Sequence, residues 1–239
     1  MLPLDTAGLF HRIELILESV DVGTATISDV LDARGERNHV LSPSIRPLIG
    51  PIERTVHGSA ATVQWDLVRK GPAITAPGPS TWTEVRDFIV PGIDDGSKHV
   101  YVAGSGPLMK SAAMLGGLST TYLLETLRFE AIVAGGAIRD RRVVASSRSP
   151  VVGTGFVPVD SQGAFRASAE NGFCIVDGII VRSGDWVFID GDGTVTVPRA
   201  IVLDVLEQCA AIEQTEEQIL RRVSAGERLP DLIDCIGRI

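Results

Sequence analysis

Apolar positions recur at helical spacing at the start of the chain. Leu9, Ile13, Ile16 and Val20 fall on one face of a helix that Asp5 or Thr6 can cap. The stretch T-I-S-D-V-L-D at 26–32 continues the helical pattern, with Thr26 or Ser28 as the next cap and Gly35 as a stop. Proline biases its predecessor away from helix, so Ile45-Arg46-Pro47-Leu48 reads as an extended or turn segment. The small residues of 57–65 predict a strand packed close against another element, with His57 as a loop or strand-edge residue. A short helix over 81–89 ends at Pro91-Gly92, and His99 to Ala103 reads as a buried strand running into Gly104-Ser105-Gly106. A helical stretch is expected next, up to the pair Gly116–Gly117. A further helix over 118–129 carries Leu123, Leu124 and Leu127 on one side. Ala131 to Ala134 is an apolar run with no place for a charge, which is the mark of a strand buried on both faces. From 172 to 198, alternating strands separated by Asp-Gly turns predict hairpins, with Asp190 and Asp192 as turn residues. A long helix from about 199 to 224, rich in acids at Glu213, Glu216 and Glu217, follows.

Composition narrows the class. With 239 residues, 44% of them hydrophobic and 22% charged, the chain can bury a sizeable core. A net charge of −8, with no basic cluster larger than Arg139, Arg141 and Arg142, argues against a phosphate-backbone binder, and no nucleic acid is expected. No apolar run reaches membrane-spanning length and no signal pattern opens the chain, so no membrane partner is expected. Three scattered cysteines, Cys174, Cys209 and Cys235, suggest reduced thiols and a cytoplasmic protein.

The candidate chemistry lies where the buried run ends. Gly135 and Gly136 allow a bend or a close approach, and Arg139 and Asp140 then emerge from the core. A guanidinium clamps carboxylates, and a carboxylate beside it is a ligand for a hard cation. A surface ion pair at a strand end is the alternative reading of the same two residues. A helix start at Gly116 to Ser119 is a candidate cradle for a carboxylate or phosphate, while the chain lacks the glycine patterns of nucleotide sites.

Taken in order, these segments resemble the family of RraA-like proteins and class II 4-hydroxy-4-methyl-2-oxoglutarate / 4-carboxy-4-hydroxy-2-oxoadipate aldolases. The matching pieces are T-I-S-D-V-L-D at 26–32, I-R-P-L at 45–48, G-S-A-A-T-V at 58–63 and L-G-G-L at 115–118. They continue with I-V-A-G-G-A-I-R-D at 132–140, P-V-V at 150–152, G-I-I-V-R-S-G-D at 178–185 and D-G-D-G-T-V-T-V-P at 190–198. The resemblance implies an α/β swivelling β/β/α domain over residues 1–239, with N-terminal helices and a C-terminal helical extension. It also implies assembly as a homotrimer or hexamer with sites between subunits.

For the site, the resemblance implies magnesium or manganese held by Asp140 and a small 2-oxo acid whose enolate is supported by Arg139. Backbone amides at Gly116, Gly117 and Leu118 would receive the substrate carboxylate, and Glu216 or Glu217 of a neighbouring subunit would join the metal shell. The reaction would be retro-aldol cleavage to pyruvate or decarboxylation of oxaloacetate. In one respect this sequence departs from the aldolases, which carry an acid 21 positions before the arginine; here that position is Leu118. The other reading that the resemblance carries is a non-catalytic regulator that binds a protein partner such as ribonuclease E. The intact Arg139-Asp140 pair, the glycine-led helix start and the acidic C-terminal helix favour the enzyme.

Overall fold

A computed structural model describes residues 6–49, 52–68, 82–90 and 92–236. Asp5, Thr81 and Pro91 of the expectations above lie outside them. In chain order the helices are α1 (Thr6–Ser19), α2 (Thr24–Ala33), α3 (Trp82–Val85), α4 (Gly117–Thr121), α5 (Arg141–Val144), α6 (Val202–Ser224) and α7 (Leu229–Ile236). The strands are β1 (Arg46–Pro47), β2 (Val56–Leu67), β3 (His99–Gly104), β4 (Met109–Leu115), β5 (Ala131–Ala134) and β6 (Gly136–Ile138). They continue with β7 (Val151–Gly153), β8 (Phe165–Glu170), β9 (Phe173–Val176), β10 (Ile179–Arg182), β11 (Trp186–Ile189) and β12 (Thr194–Val197). The chain divides into a helical unit, Met1–Arg37 with Ala200–Ile239, and a β-rich unit, Asn38–Arg199.

In the helical unit, α1 buries Leu9, Ile13 and Leu17, so its apolar face is rotated slightly from the one expected, with Ile16 only half-buried. Val202, Val205, Leu206 and Cys209 form the buried stripe of α6. The expected cap at Thr26 or Ser28 is not the one used: α2 starts at Thr24 with Gly23 as its cap residue. Glu213 of α6 accepts from Gly23 N (3.0 Å) and from Thr26 Oγ1 (2.6 Å), so a carboxylate from a neighbouring helix satisfies donors at the α2 start.

The β-rich unit is built on an eight-stranded sheet in the order β1-β7-β5-β3-β2-β11-β12, with β8 also paired to β2. Its centre, β2-β3-β5-β7, is parallel. A parallel sheet is covered on both faces, and the alternation shows it: Tyr101, Ala103, Ile132 and Ala134 enter one core, Val100, Val102, Ala131 and Val133 the other. The β9–β10 hairpin contributes Cys174, Val176 and Val181 to the second core. The helical stretch expected after Gly106 is instead strand β4. It pairs in parallel with β6, and its apolar residues Ala112, Met114 and Leu115 join the first core. Tertiary pairing overrides local propensity in such a short segment. Past Gly117 the predicted helix forms, as one turn of α4 followed by a π-helical turn, Tyr122–Thr126.

The two hairpins fall where expected, and Asp190 closes its turn by accepting from Asp192 N and Gly193 N. All three cysteines are free. Among the described residues no helix is long and apolar enough to cross a membrane.

Candidate active site

The parallel pair β4–β6 brings two loops to one place. Leu115 stands opposite Ile138 in the register, and Arg139 N donates to Leu115 O (3.0 Å). Parallel strands end on the same side, so Gly116 after β4 lies beside Arg139 after β6. The close pairing needs glycine: a Cβ on Gly136 would sit 2.6 Å from Met109 O. A third segment joins them, because Val157 N donates to Ile138 O and Ala113 N to Val159 O, which delivers Asp160 to the same end.

Asp140 adopts a left-handed backbone conformation, φ 64° and ψ 45°, immediately before α5. That turn aims its carboxylate at the α4 start, where Oδ2 accepts from Gly117 N at 2.8 Å. A Cβ on Gly117 would lie 2.8 Å from Val143 Cβ and 3.0 Å from Asp140 Cβ, so glycine is what allows this approach. Arg139 is flanked by acids: Nε lies 3.6 Å from Asp140 Oδ2 and Nη1 lies 3.2 Å from Asp160 Oδ1. The guanidinium is thus held in place by two carboxylates while a third of its side chain stays open to solvent.

Arg139, Asp140 and Asp160 line a cleft of about 410 Å³, together with Gly116, Leu118, Ser119, Ser161 and Gln162. The rest of the lining is apolar: Trp82, Val85, Phe88, Ile89 and Tyr122. Phe88 is anchored from below, since the buried Tyr101 hydroxyl donates to Phe88 O (3.0 Å), and burial pushes that phenol's pKa well above its ordinary value. Edge-to-face contact with Trp82, at 6.2 Å between centroids, extends the wall outward.

The structure thus brings Arg139, Asp140, Gly116 and Leu118 to one cleft. Gly117 supports it from behind, because its amide is bonded to Asp140. Gly116 N donates to Ser119 Oγ (3.0 Å), so two of the three amides expected to meet a substrate carboxylate already have protein acceptors. Leu118 is 90% exposed at the cleft rim. Glu216 and Glu217 belong to the helical unit: Glu216 lines a cleft there with Asp29, Asp32 and Gln208, and Glu217 pairs with Arg221 one turn on. Sequence reasoning missed Asp160 and the apolar wall. Asp160 had only a weak signal, an acid directly after the apolar run of 156–159, without the glycine pair and the adjacent arginine that singled out Asp140.

Among the described residues, no group of three or more His, Cys, Asp or Glu gathers in a metal-ligating arrangement. Magnesium, however, is commonly held by one or two carboxylates, with water and substrate oxygens completing its octahedron. Both side-chain contacts of Asp140 fall on Oδ2, which leaves Oδ1 for such an ion, and Asp160 is the second carboxylate at hand. The donor set fits a hydrated hard cation and does not fit a fully protein-caged one.

The RraA-like family, Aldolase/RraA, matches residues 24–196. Protein DlpA of Legionella pneumophila is 26% identical over 216 residues, 90% of this chain but 32% of its own; the chain thus spans about a third of that relative's length. A protein of Alcanivorax borkumensis named as a candidate 4-hydroxy-4-methyl-2-oxoglutarate aldolase is 28% identical over 115 residues, covering 46% of this chain and 67% of its own. The solved structure of Streptomyces coelicolor RraAS2, described as an unusual member of the RNase ES inhibitor RraA family, superposes with a TM-score of 0.65. Its identity is 26%, over 84% of this chain and 93% of that one.

Proposed function

The chain belongs to the RraA-like family, Aldolase/RraA, and on that premise we propose that it is a divalent-metal-dependent carbon–carbon lyase acting on a small 2-oxo acid. The observation that carries this reading is the guanidinium of Arg139, fixed between Asp140 and Asp160 at the floor of a cleft of substrate size. Retro-aldol cleavage moves the C4 hydroxyl proton to a base, breaks the C3–C4 bond and leaves its electron pair in an enolate. C4 departs as a carbonyl compound, and protonation of C3 gives pyruvate. Arg139 stabilises the enolate oxygen and the 1-carboxylate, since a preorganised cation matters most where charge develops. Asp160 takes the hydroxyl proton and returns it to C3, because Asp140 is committed to the Gly117 amide and to the cation. Asp140 would hold magnesium or manganese, and when bound the ion supplies Lewis-acid polarisation of the 2-oxo group. Of the amides at the α4 start, that of Leu118 would receive the substrate carboxylate, since those of Gly116 and Gly117 already have protein acceptors, and the leucine side chain stays at the apolar rim.

Oxaloacetate decarboxylation is within reach of the same residues, as carbon dioxide departs from the same kind of enolate. We place the working assembly as a homotrimer or hexamer in the cytoplasm, with Glu216 or Glu217 of a neighbouring subunit completing the ion's shell. The three unbridged thiols support a reducing compartment.

One observation favours a second reading, a non-catalytic regulator that binds a protein partner. Leu118 stands exposed where the aldolases carry an acid, beside Trp82 and Tyr122, which are 44% and 40% exposed. One experiment separates the two. The protein is incubated with magnesium and either oxaloacetate or 4-hydroxy-4-methyl-2-oxoglutarate, and pyruvate is followed with and without chelator. The lyase reading expects metal-dependent pyruvate that disappears in Arg139→Ala; release no faster than that variant's rejects it for these substrates.

A further inference from the structure

We propose that the cleft is built for a monocarboxylic 2-oxo acid carrying an apolar group, aromatic or branched aliphatic, at the end away from the carboxylate. This rests on the lyase reading for its chemistry, although the recognition it describes is open to a binding test of its own. Two observations lead to it.

The first is charge. Among the described residues that line the cleft, Arg139 is the one cation, against the carboxylates of Asp140 and Asp160. One positive and two negative groups leave a surplus of one negative charge, and a bound divalent cation turns this into one positive. That accommodates at most one substrate carboxylate, and the glutamate proposed from a neighbouring subunit would lower the sum to zero, which disfavours a second one further. A second carboxylate on the substrate finds no cationic partner among these residues and lies near two acids, and like charges at close range in a half-enclosed site repel.

The second is shape. Beside the charged groups the cleft is lined by Trp82, Val85, Phe88, Ile89 and Tyr122, with Leu118 at the rim. These are not scattered surface apolars. Phe88 is 5% exposed and packs between Trp65, tilted at 5.6 Å, and Trp82, edge-to-face at 6.2 Å; its carbonyl is tied to Tyr101. A wall anchored in the core in this way presents a preformed apolar face, and ligand clefts of this kind set specificity through a few polar groups facing a hydrophobic wall. Leu118 extends this apolar lining at the rim. The single cation and the apolar lining therefore point to the same substrate. Cleavage would break the C3–C4 bond of a 4-hydroxy-2-oxo acid with an apolar C4 substituent, yielding pyruvate and an apolar aldehyde or ketone, with the hydroxyl proton transferred to C3 and no further reactant.

The test compares pyruvate release from 4-hydroxy-2-oxo acids bearing phenyl or isopropyl at C4 with release from 4-hydroxy-4-methyl-2-oxoglutarate, all with magnesium. The apolar substrates should lead by about tenfold or more in kcat/KM, and Trp82→Ala and Leu118→Ala should shrink that ratio through KM rather than kcat. A ratio of one or below, or a ratio both variants leave unchanged, overturns the proposal. If none of the compounds yields metal-dependent pyruvate, the lyase reading falls, and recognition is then judged by calorimetry with phenylpyruvate and oxaloacetate. Phenylpyruvate binding about tenfold more tightly, and lost in Arg139→Ala, supports the inferred ligand class; equal or weaker binding rejects it.

Discussion

Replacing Asp140 separates a structural role from a chemical one, because the residue holds the Gly117 amide and, in the proposed reaction, also the metal ion. Its backbone sits in the left-handed region at φ 64°, which asparagine tolerates and alanine resists by about 1–2 kcal/mol. Its Oδ2 accepts the Gly117 amide at 2.8 Å, a charge-assisted bond worth about 1.5–3 kcal/mol when buried. The side chain is 46% exposed, so about 1 kcal/mol is the fitting figure here. Asp140→Ala loses both contributions, about 2–3 kcal/mol in all, which for a chain of this size lowers Tm by roughly 5–10 °C. Asp140→Asn keeps the turn and an acceptor oxygen and should lower Tm by no more than about 2 °C. Activity should reverse the ranking of concern: the asparagine variant, folded and stable, should still lose about 100-fold or more in metal-dependent pyruvate release. Thermal melting and a coupled pyruvate assay read the two effects separately. Wild-type melting of Asp140→Ala would refute the structural argument, and wild-type turnover of Asp140→Asn would refute the chemical one.

Other perturbations test neighbouring links. Arg139→Lys keeps the charge but cannot reach Asp140 and Asp160 with separate nitrogens, so pyruvate release should fall by about 100-fold with little change in melting. Leu118→Asp adds a carboxylate at an exposed rim position, and magnesium affinity measured by calorimetry should rise by about tenfold without loss of stability. Gly136→Ala drives a Cβ to 2.6 Å from Met109 O, a backbone atom that cannot swing aside. It should cost about 2–3 kcal/mol in denaturant unfolding and displace Arg139 with the strand. Burial pushes the thiols of Cys174 and Cys209 up to about 12. Their unfolded forms ionise near pH 9, so the folded state holds protons that the unfolded state has released. Stability present below pH 9 should be lost as pH rises from about 9 toward 12. In native protein near pH 8 a thiol reagent should label the exposed Cys235 well ahead of both buried thiols.

Much of the fold was legible because its signals are local. The apolar run of 131–134 has no tolerance for charge, and it forms the doubly buried β5. The Asp-Gly turns dictate hairpins, and both appear. Where the reading failed, a partner distant in sequence had decided. Residues 109–115 lack a strong period of their own and become strand by pairing with β6. Thr26 was a plausible cap until Glu213, nearly the length of the chain away, supplied the acceptor instead. Asp160 gave the same weak signal as many surface acids, and only the bonds of 157–159 to β4 and β6 carry it to Arg139.

The sequence alone determined the family pattern, the strand that ends in Arg139 and Asp140, and the glycine pair before Leu118, because each is a property of residues adjacent along the chain. The tertiary structure decided what surrounds them. Parallel pairing of β4 with β6 sets Gly117 under the Asp140 carboxylate, the crossing segment adds Asp160, and Tyr101 holds Phe88 in the apolar lining. Charge balance and apolar shape in the cleft arise from groups brought together across more than seventy residues of chain, from Trp82 to Gln162, and no local pattern encodes such a sum.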